Sequence, residues 1–546
     1  MRMEGRETGI PWVWVCAGAM VTILVMILAL FGIILVNGLA ALWPKPVMEV
    51  HREGEPAIVG VHYRSITDPK SAGDTEEARS KVLLYKANQD LSSDDFAYVS
   101  QVQFQAAKER PELWFLERLE WGPFIGTITQ FEGDSLLTEI TPEVVTLQIE
   151  QGQTRRQTIE DLEKNTLSKI NMDLENARIE LRRLRRLSLN ASQKDMGELE
   201  TKSKNVEARM VELQNSYQLA AESVSQLKIQ DDKFKVTLLG PDGASSKTIP
   251  TSQLVRAYRT QDLTLIKKIR IYLSRSAEFI FGRPREANTA GGIWPAIFGT
   301  VTMTLLMSVV VMPVGVLTAL YMREIAQQGP LVSLVRIAVG NLAGVPSIVY
   351  GVFGLGFFCY TLGASIDEIF FLDKLPTATY GTGGILWASL TLALLTVPVV
   401  IVSTEEALAS VPRTLREASY GCGATRLQTI WNIVLPKAMP GVLTGLILAI
   451  ARGIGEVAPL LVTGAVKLAP MLPIDGNFPY VHLQRSFMHL SFHIYDLGFQ
   501  SRSTELTRPL VFATTTLLIG VVLLLNFSAF KIRSTLRKRF EGRGAF

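Results

Sequence analysis

Six long apolar segments constrain this 546-residue chain more than any other feature. About 20 consecutive apolar residues suffice for a helix to cross the hydrocarbon core of a bilayer. The first segment runs from Ile10 to about Val36, and the other five follow residue 290. Those five are expected near 293–322, 337–362, 384–403, 441–464 and 509–530. We therefore predict an α-helical integral membrane protein with six transmembrane helices.

The basic residues that flank these segments predict the orientation of the chain. Arg2 and Arg6 precede the first segment, and a basic tail, which contains Lys531 and Arg533, follows the last. Because Lys and Arg are enriched on the cytoplasmic side, both termini are expected in the cytoplasm, in agreement with six crossings. The first segment exceeds a signal-peptide core, so we expect a retained anchor, although cleavage after Ala40 stays open. The expected domains are 1–44, an insert 45–290 outside the cell membrane, a membrane core 291–530 and a cytoplasmic tail 531–546.

The insert contains two kinds of sequence and is expected to be α+β. Short β-branched and aromatic runs predict a β-rich part over 47–150 and 232–260. The expected strands are Ile58–Tyr63, Lys81–Tyr85, Tyr98–Phe104, Thr127–Phe131 and Phe234–Leu239. Heptad spacing over 154–231 predicts an antiparallel coiled-coil hairpin, and 263–281 is expected to be an amphipathic helix approaching the membrane.

One arm of the hairpin is strongly basic, with Arg182, Arg183, Arg185 and Arg186 close together. A solvated coiled-coil face explains such a run, and a docking site for an acidic partner or anionic lipid headgroups is the alternative. We hypothesise that the insert receives or tethers a soluble protein outside the cell membrane.

A polar loop, 404–440, lies between the fourth and fifth apolar segments. Val411-Pro412-Arg413 begins a helical run that we expect Leu435-Pro436 to close, because proline cannot continue a helix. Gly423 is expected to divide this run into two short helices, which would form a compact knob at the membrane surface. An ordinary amphipathic loop and a knob gripped by another protein both fit this periodicity. The residues singled out here are Glu417, Ala418, Ser419, Gly423, Ile433, Leu435 and Pro436.

Two membrane segments carry unusual residues. Arg452 and Glu456 lie in the fifth segment at a spacing that places them on one helical face, with Gly453 and Gly455 between them. A structural ion pair and a site that transiently holds an oxyanion are both possible, because guanidinium presents a planar fork of donors. In the third segment, small and polar residues interrupt the apolar run. Such residues either let helices pack closely or line a passage through the membrane, and both readings stay open. The residues concerned are Asn341, Pro346, Ser347 and Tyr350.

These motifs together resemble one known family. Glu417-Ala418-Ser419, Gly423, Ile433 and Leu435-Pro436 are similar to the coupling loop of ABC importer permeases, with Ser419 where the family usually has a second alanine. With Gly291-Gly292-Ile293-Trp294 and the segments 341–351 and 451–464, the chain resembles the PstA-type permease subunit of bacterial phosphate ABC importers. The 240-residue insert is the departure from the short members of that family.

The resemblance implies a type I importer in the bacterial inner membrane. The expected partners are a C-type phosphate permease subunit, two ATPase subunits below and a periplasmic phosphate-binding protein outside. ATP and Mg²⁺ would be bound by the ATPase, with no cofactor or metal in this chain. The residues 404–440 would dock on the ATPase, and Arg452 with Glu456 would lie in the substrate pathway.

Other function classes fit the sequence less well. No Gly-x-x-x-x-Gly-Lys-Ser/Thr loop occurs, so the chain is not expected to hydrolyse ATP or to be an enzyme. The net charge of +4 gives no reason to expect nucleic-acid binding, and Cys16, Cys359 and Cys422 have no metal-ligand spacing. Two alternatives remain open: a permease for another oxyanion, and a membrane-anchored envelope scaffold or sensor that uses the coiled coil.

Overall fold

The fold is taken from a computed structural model of the chain, which describes residues 10–52, 55–67, 80–91, 94–133, 136–189, 193–501 and 503–542. The chain forms two compact units. The membrane unit comprises Met1–Leu42 and Glu278–Phe546, and the insert unit comprises Trp43–Ala277.

Six helices of the described residues are long and apolar enough to cross a membrane, as predicted. We call them the first to sixth spans. Their bounds are Trp12–Ala40, Trp294–Ile325, Ser347–Phe370, Ile385–Ala409, Arg426–Gly455 and Thr504–Lys538. This unit also contains three shorter helices, numbered by their order among the described α-helices: α8 Pro330–Leu342, α15 Ala458–Thr463 and α16 Leu490–Tyr495.

The fourth span forms the centre of the membrane unit, with 67% of its most apolar stretch buried. It packs against the second and fifth spans through fully buried side chains such as Met307 and Leu392. Glycines bring the backbones close: a Cβ on Gly445 would lie 2.6 Å from the Cβ of Ser403. Small residues at such contacts are typical of helices packed in lipid.

Two predicted span boundaries are wrong. The third span begins at Ser347 rather than near 337, because α8 ends at Leu342 and the chain breaks before the next helix. Pro346 takes an extended ψ of 135° at this break, and the residue that precedes a proline is disfavoured in helical conformation. The fifth span occupies Arg426–Gly455 rather than 441–464.

Within its described residues, the insert unit contains two five-stranded antiparallel sheets. Their strand orders are β4-β3-β2-β1-β5 and β10-β6-β7-β8-β9. The strands are β1 Val47–Arg52, β2 Glu55–Thr67, β3 Ser80–Tyr85, β4 Phe96–Ser100, β5 Lys108–Glu109, β6 Trp114–Arg118, β7 Phe124–Glu132, β8 Lys235–Leu239, β9 Ser246–Pro250 and β10 Leu254–Arg259. The predicted return of the chain to the sheet is confirmed, because β8 pairs with β7.

Two predictions for the insert are corrected. The expected strand Tyr98–Phe104 ends at Ser100, which caps a short helix, Gln101–Gln105, through a capping box with Gln103. The expected β-rich part does not extend to residue 150, because a helix, α3 (Pro142–Asp161), begins at Pro142. Thr141 caps α3, and Val145 packs in the core of the second sheet.

The predicted helical hairpin is confirmed. α3 Pro142–Asp161 continues through a π-helical turn, Leu162–Leu167, into α4 Ser168–Leu189, and α5 Gln193–Asp231 returns beside α4. Ala177, Leu181 and Val206 are buried between the two arms, within the segment 154–231 whose heptad spacing predicts the hairpin. The Arg185 guanidinium donates to Glu207 at 3.0 Å, so part of the basic arm is paired within the hairpin. Residues 190–192 of the expected turn lie outside the described residues. A true coiled-coil supercoil stays a prediction.

Candidate functional site

The segment after the fourth span folds into two short helices joined by a tight turn, which we call the knob (residues 413–436). Arg413–Gly421 forms the first helix and Arg426–Thr429 begins the second. Gly423 separates them with φ of +82°, in the left-handed region that favours glycine, so the predicted break is confirmed. The hydroxyl oxygens of Ser419 and Thr429 lie 2.9 Å apart in the buried contact between the two helices.

The second half of the knob differs from the prediction. Leu435-Pro436 does not close the helix, because the chain passes from Arg426–Thr429 through a π-helical turn, Ile430–Val434, into the long helix Leu435–Gly455. A proline removes one backbone hydrogen bond and crowds the carbonyl four residues earlier, here in Asn432. That carbonyl lies within the wider π-helical turn, which accommodates the proline. The second helix of the knob and the fifth span therefore form one continuous helical rod, Arg426–Gly455.

The predicted loop residues differ in exposure. Glu417, Ala418 and Gly423 are exposed, Ser419 is buried, and Ile433, Leu435 and Pro436 are partly buried. Large apolar side chains accompany them on the knob surface, and Leu427 and Trp431 are 61% and 57% exposed. Apolar surface of this kind on a compact element is typical of a protein-binding site.

Arg416 joins the knob to the ends of two spans. Its guanidinium donates to the Glu324 carboxylate at 2.7 Å, at the end of the second span. It also donates to the backbone carbonyl oxygens of Leu408 and Val411 at 2.9 and 2.6 Å, at the end of the fourth span. Sequence reasoning missed Arg416 and Glu324, because they lie 92 residues apart and no local spacing relates them.

The Arg452–Glu456 pair forms, although not on one face of a continuous helix. The fifth span ends at Gly455, and Glu456 is extended with ψ of 135°. The Arg452 Nε lies 3.5 Å from the Glu456 Oε1, and the two side chains are 36% and 21% exposed. Arg452 thus occupies the last turn of the helix, where the helix dipole favours a cation. The arrangement presents a partly accessible guanidinium held by one carboxylate.

The two glycines of this segment have different surroundings. A Cβ on Gly453 would lie 2.7 Å from the Met307 Sδ, so Gly453 serves helix packing. A Cβ on Gly455 would meet nothing within 4 Å. The space beside Gly453 is therefore filled by Met307, whereas the space beside Gly455 is open.

A buried segment supports the end of this helix. The Ser491 hydroxyl donates to the Ile454 carbonyl at 2.6 Å, and the Leu490 backbone N–H donates to the Thr300 hydroxyl at 2.9 Å. Both bonds fix the start of α16 against the second and fifth spans. Sequence reasoning missed Thr300 and Ser491, which lie far from Ile454 in the sequence.

Of the four residues singled out near the third span, Asn341, Pro346, Ser347 and Tyr350, the structure brings only Tyr350 towards Arg452. Tyr350 is buried, close enough to Arg452 to interact electrostatically, and its hydroxyl donates to the Leu342 carbonyl at 2.6 Å. This bond closes the break between α8 and the third span. Asn341 and Pro346 are exposed at that break, and Ser347 is partly buried at the start of the span. Among the described residues, no group of three or more His, Cys, Asp or Glu side chains could hold a metal ion.

Known transport proteins are similar to this chain in sequence. The model of the family "binding-protein-dependent transport system inner membrane component" matches residues 311–541. The phosphate transport system permease protein PstA 1 of Mycobacterium tuberculosis (strain CDC 1551 / Oshkosh) is 34% identical over 257 residues, which are 46% of this chain and 73% of the relative. PstA of Mycobacterium leprae (strain TN) is 41% identical over 189 residues, 34% of this chain and 56% of that protein.

The chain is also similar to a solved structure of the MetNI methionine ABC transporter in an inward-facing conformation. The similarity covers 44% of this chain and 93% of the chain in that structure, with 21% sequence identity and a TM-score of 0.32. The match to PstA 1 of Mycobacterium tuberculosis covers 73% of that protein at 34% identity, which establishes the family of this chain. The chain belongs to the binding-protein-dependent transport system inner membrane components, as a PstA-type permease of an ABC importer.

Proposed function

We propose that this chain forms half of the membrane pathway of an ATP-driven phosphate importer and couples to a separate ATPase through residues 404–440. One observation carries the proposal: the knob and the Arg452–Glu456 pair occupy opposite ends of one helical rod, Arg426–Gly455. Thirty helical residues extend about 45 Å at about 1.5 Å per residue. Movement of the knob therefore displaces the end of the helix that carries Arg452.

The chemistry of Arg452 fits a transient oxyanion site. A guanidinium offers several donors in one plane and binds phosphate oxygens through two parallel hydrogen bonds. Glu456 neutralises this charge at rest through the 3.5 Å contact and competes with an arriving anion. Such competition keeps binding weak enough for release, which a transport site requires. Tyr350 and Gly455 are the neighbours that would share this passage.

The proposed assembly follows from the relatives, whose names describe permeases of phosphate transport systems. The partners would be a C-type permease, two ATPase subunits that bind ATP and Mg²⁺, and a periplasmic phosphate-binding protein. The chain would lie in the inner membrane with both termini and the knob in the cytoplasm, and with residues 45–290 in the periplasm. The insert would then be available to the binding protein.

Uptake of radiolabelled phosphate tests this function directly. Cells that contain the partner subunits and this chain should accumulate phosphate in an ATP-dependent way, and cells that lack only this chain should not. Excess unlabelled sulfate should leave uptake unchanged, whereas unlabelled phosphate should abolish it. Equal competition by sulfate would instead favour a permease for another oxyanion.

A native cysteine allows the orientation to be tested. Cys422 is exposed in the knob, beside Gly423. In a variant with Cys16→Ser and Cys359→Ser, an impermeant maleimide should label Cys422 in inside-out vesicles and not in intact spheroplasts. Labelling from the outside would separate the knob from any cytoplasmic ATPase and would overturn the proposal.

A further inference from the structure

The helix α6, Leu265–Phe281, exposes a row of apolar residues in its first half. Leu265, Ile266, Ile269 and Leu273 are all exposed, and Ile266 is 80% exposed. At 3.6 residues per turn these four positions lie on one side of the helix. We call them the apolar stripe. An amphipathic helix of a water-soluble domain normally turns this side to the core, so the orientation of α6 needs an explanation.

The opposite side of α6 holds the helix in this orientation. Arg275 donates to the Tyr258 hydroxyl at 3.0 Å and forms an ion pair with Glu117, and all three side chains belong to the insert unit. Ile271 and Ser274 line a cleft of about 410 Å³ on the same unit, and Lys267 and Arg270, which also line it, keep exposed side chains. The side of the helix that carries Ile271 and Arg275 therefore faces its own domain, and the stripe points away from that domain.

An aromatic contact relates α6 to the end of the first span. Trp43 follows that span by three residues, and its ring centroid lies 5.6 Å from the ring centroid of Tyr272 on α6. Trp and Tyr are enriched where membrane proteins meet the membrane–water interface. The last turn of α6 belongs to the membrane unit, where Phe279 packs against Ile293 just before the second span. The middle and the C-terminal end of α6 are thus associated with chain that enters or leaves a span.

The charges of α6 fit a lipid surface. Lys267, Lys268 and Arg270 lie within four residues, and Glu278 is the one acidic residue of the helix. A helix with an apolar stripe flanked by Lys and Arg binds in the plane of a bilayer, and anionic headgroups add about 1 kcal/mol for each nearby cation. We propose that α6 lies in the membrane–water interface, with its apolar stripe at the acyl chains and its cations at anionic phospholipid headgroups. This inference does not depend on the transported solute.

Nitroxide scanning of the full chain in bilayer nanodiscs tests the stripe. Single-cysteine variants Ile266→Cys and Leu273→Cys, in a chain whose three native cysteines are replaced by serine, carry the probe. Leu219→Cys is the matched control, because Leu219 is 66% exposed on α5 of the hairpin. Labels on the stripe should collide several-fold more with oxygen, which concentrates in lipid, than with a water-soluble nickel chelate. The control should show the reverse. Should Ile266→Cys fail to fold, Leu265→Cys replaces it.

Two results would overturn the proposal. Nickel-chelate collisions equal to those of the Leu219 label would place the stripe in water, and protection from both reagents would indicate a protein partner or a second copy. The headgroup part is tested by lipid composition: phosphatidylglycerol should increase the depth of the stripe labels relative to pure phosphatidylcholine. Lys268→Glu with Arg270→Glu should abolish that increase. A depth that does not respond to phosphatidylglycerol would refute the anionic-headgroup contact.

Discussion

The Arg416 guanidinium donates to the Glu324 carboxylate at 2.7 Å, and this contact joins the knob to the end of the second span. Both side chains are largely buried, at 16% and 12% exposure. Because Arg416 also donates to two carbonyls at the end of the fourth span, one side chain connects the knob to two spans. The knob is therefore attached to the membrane unit by more than its own helical rod.

Arg416→Ala should destabilise the knob and impair coupled transport. The variant removes the Arg416 donor from the Glu324 carboxylate and one donor from each of two carbonyls, at a cost of about 2 kcal/mol for hydrogen bonds to a charged group. Glu324→Gln should cost less, because an amide oxygen still accepts from Arg416. Thermal unfolding of the purified chain and phosphate uptake in cells measure the two effects.

Arg336→Ala is the control for that experiment. Arg336 pairs with Glu405, but its side chain is 44% exposed, so the loss should be at most about 1 kcal/mol. An Arg416→Ala chain that unfolds and transports like the Arg336→Ala chain would contradict the connecting role of Arg416.

Arg452→Ala should lower phosphate uptake at least about tenfold, since loss of one charge-assisted hydrogen bond exceeds about 1.4 kcal/mol. Arg452→Lys should retain only part of the activity, because an ammonium group lacks the planar fork. Co-purification with the ATPase should be unchanged in both variants, since the knob is intact. Wild-type uptake by Arg452→Ala would leave Arg452 with a purely structural role.

Gly423→Val should reduce recovery of the ATPase with the permease. A side chain at φ of +82° costs about 1–2 kcal/mol, and a β-branched residue is the least tolerant. A Cβ at this position would meet nothing within 4 Å, so the penalty comes from the local backbone conformation and not from packing against other residues. Gly423→Asn should therefore be better tolerated. Equal ATPase recovery from both variants, at wild-type level, would show that the turn does not shape the docking surface.

The sequence predicts the parts of this fold that local patterns determine. The length of the apolar segments predicts six spans. Gly423 alone predicts that the knob divides into two helices. The π-helical turn before Pro436 and the helix end at Gly455 were not predictable, because both depend on how the surrounding helices accommodate a proline and two glycines. The same limit applies to Arg416 with Glu324, whose partnership exists only after the spans have packed.

Gly299→Ala should destabilise the membrane unit. A Cβ on Gly299 would lie 2.1 Å from the Met488 carbonyl oxygen, a backbone atom that cannot move without shifting the buried segment before α16. Overpacking of this kind costs about 1–3 kcal/mol. Gly340→Ala on α8 is the matched control, because its Cβ would meet nothing within 4 Å. Thermal unfolding should separate the two, and identical midpoints would contradict the close contact.

Asp475→Asn should lower stability at neutral pH, and the difference from the wild type should shrink in acid. Burial alone would raise the pKa of Asp475, but hydrogen bonds from Arg485 at 2.5 Å, the Asn477 N–H and His482 at 3.0 Å outweigh it and lower the pKa to about 2. A carboxylate whose pKa is lower in the folded state contributes stability above its unfolded pKa of 3.8, here about 2 kcal/mol, and loses it as the pH falls towards 2. Thermal midpoints of both chains, measured from pH 7 to pH 3, should differ by a constant amount down to about pH 4.5 and by about half of it at pH 3. Asp232→Asn, at an exposed carboxylate, should cause little change throughout. A difference between Asp475→Asn and the wild type that stays constant down to pH 3 would show that the Asp475 carboxylate is not held by its charged partners.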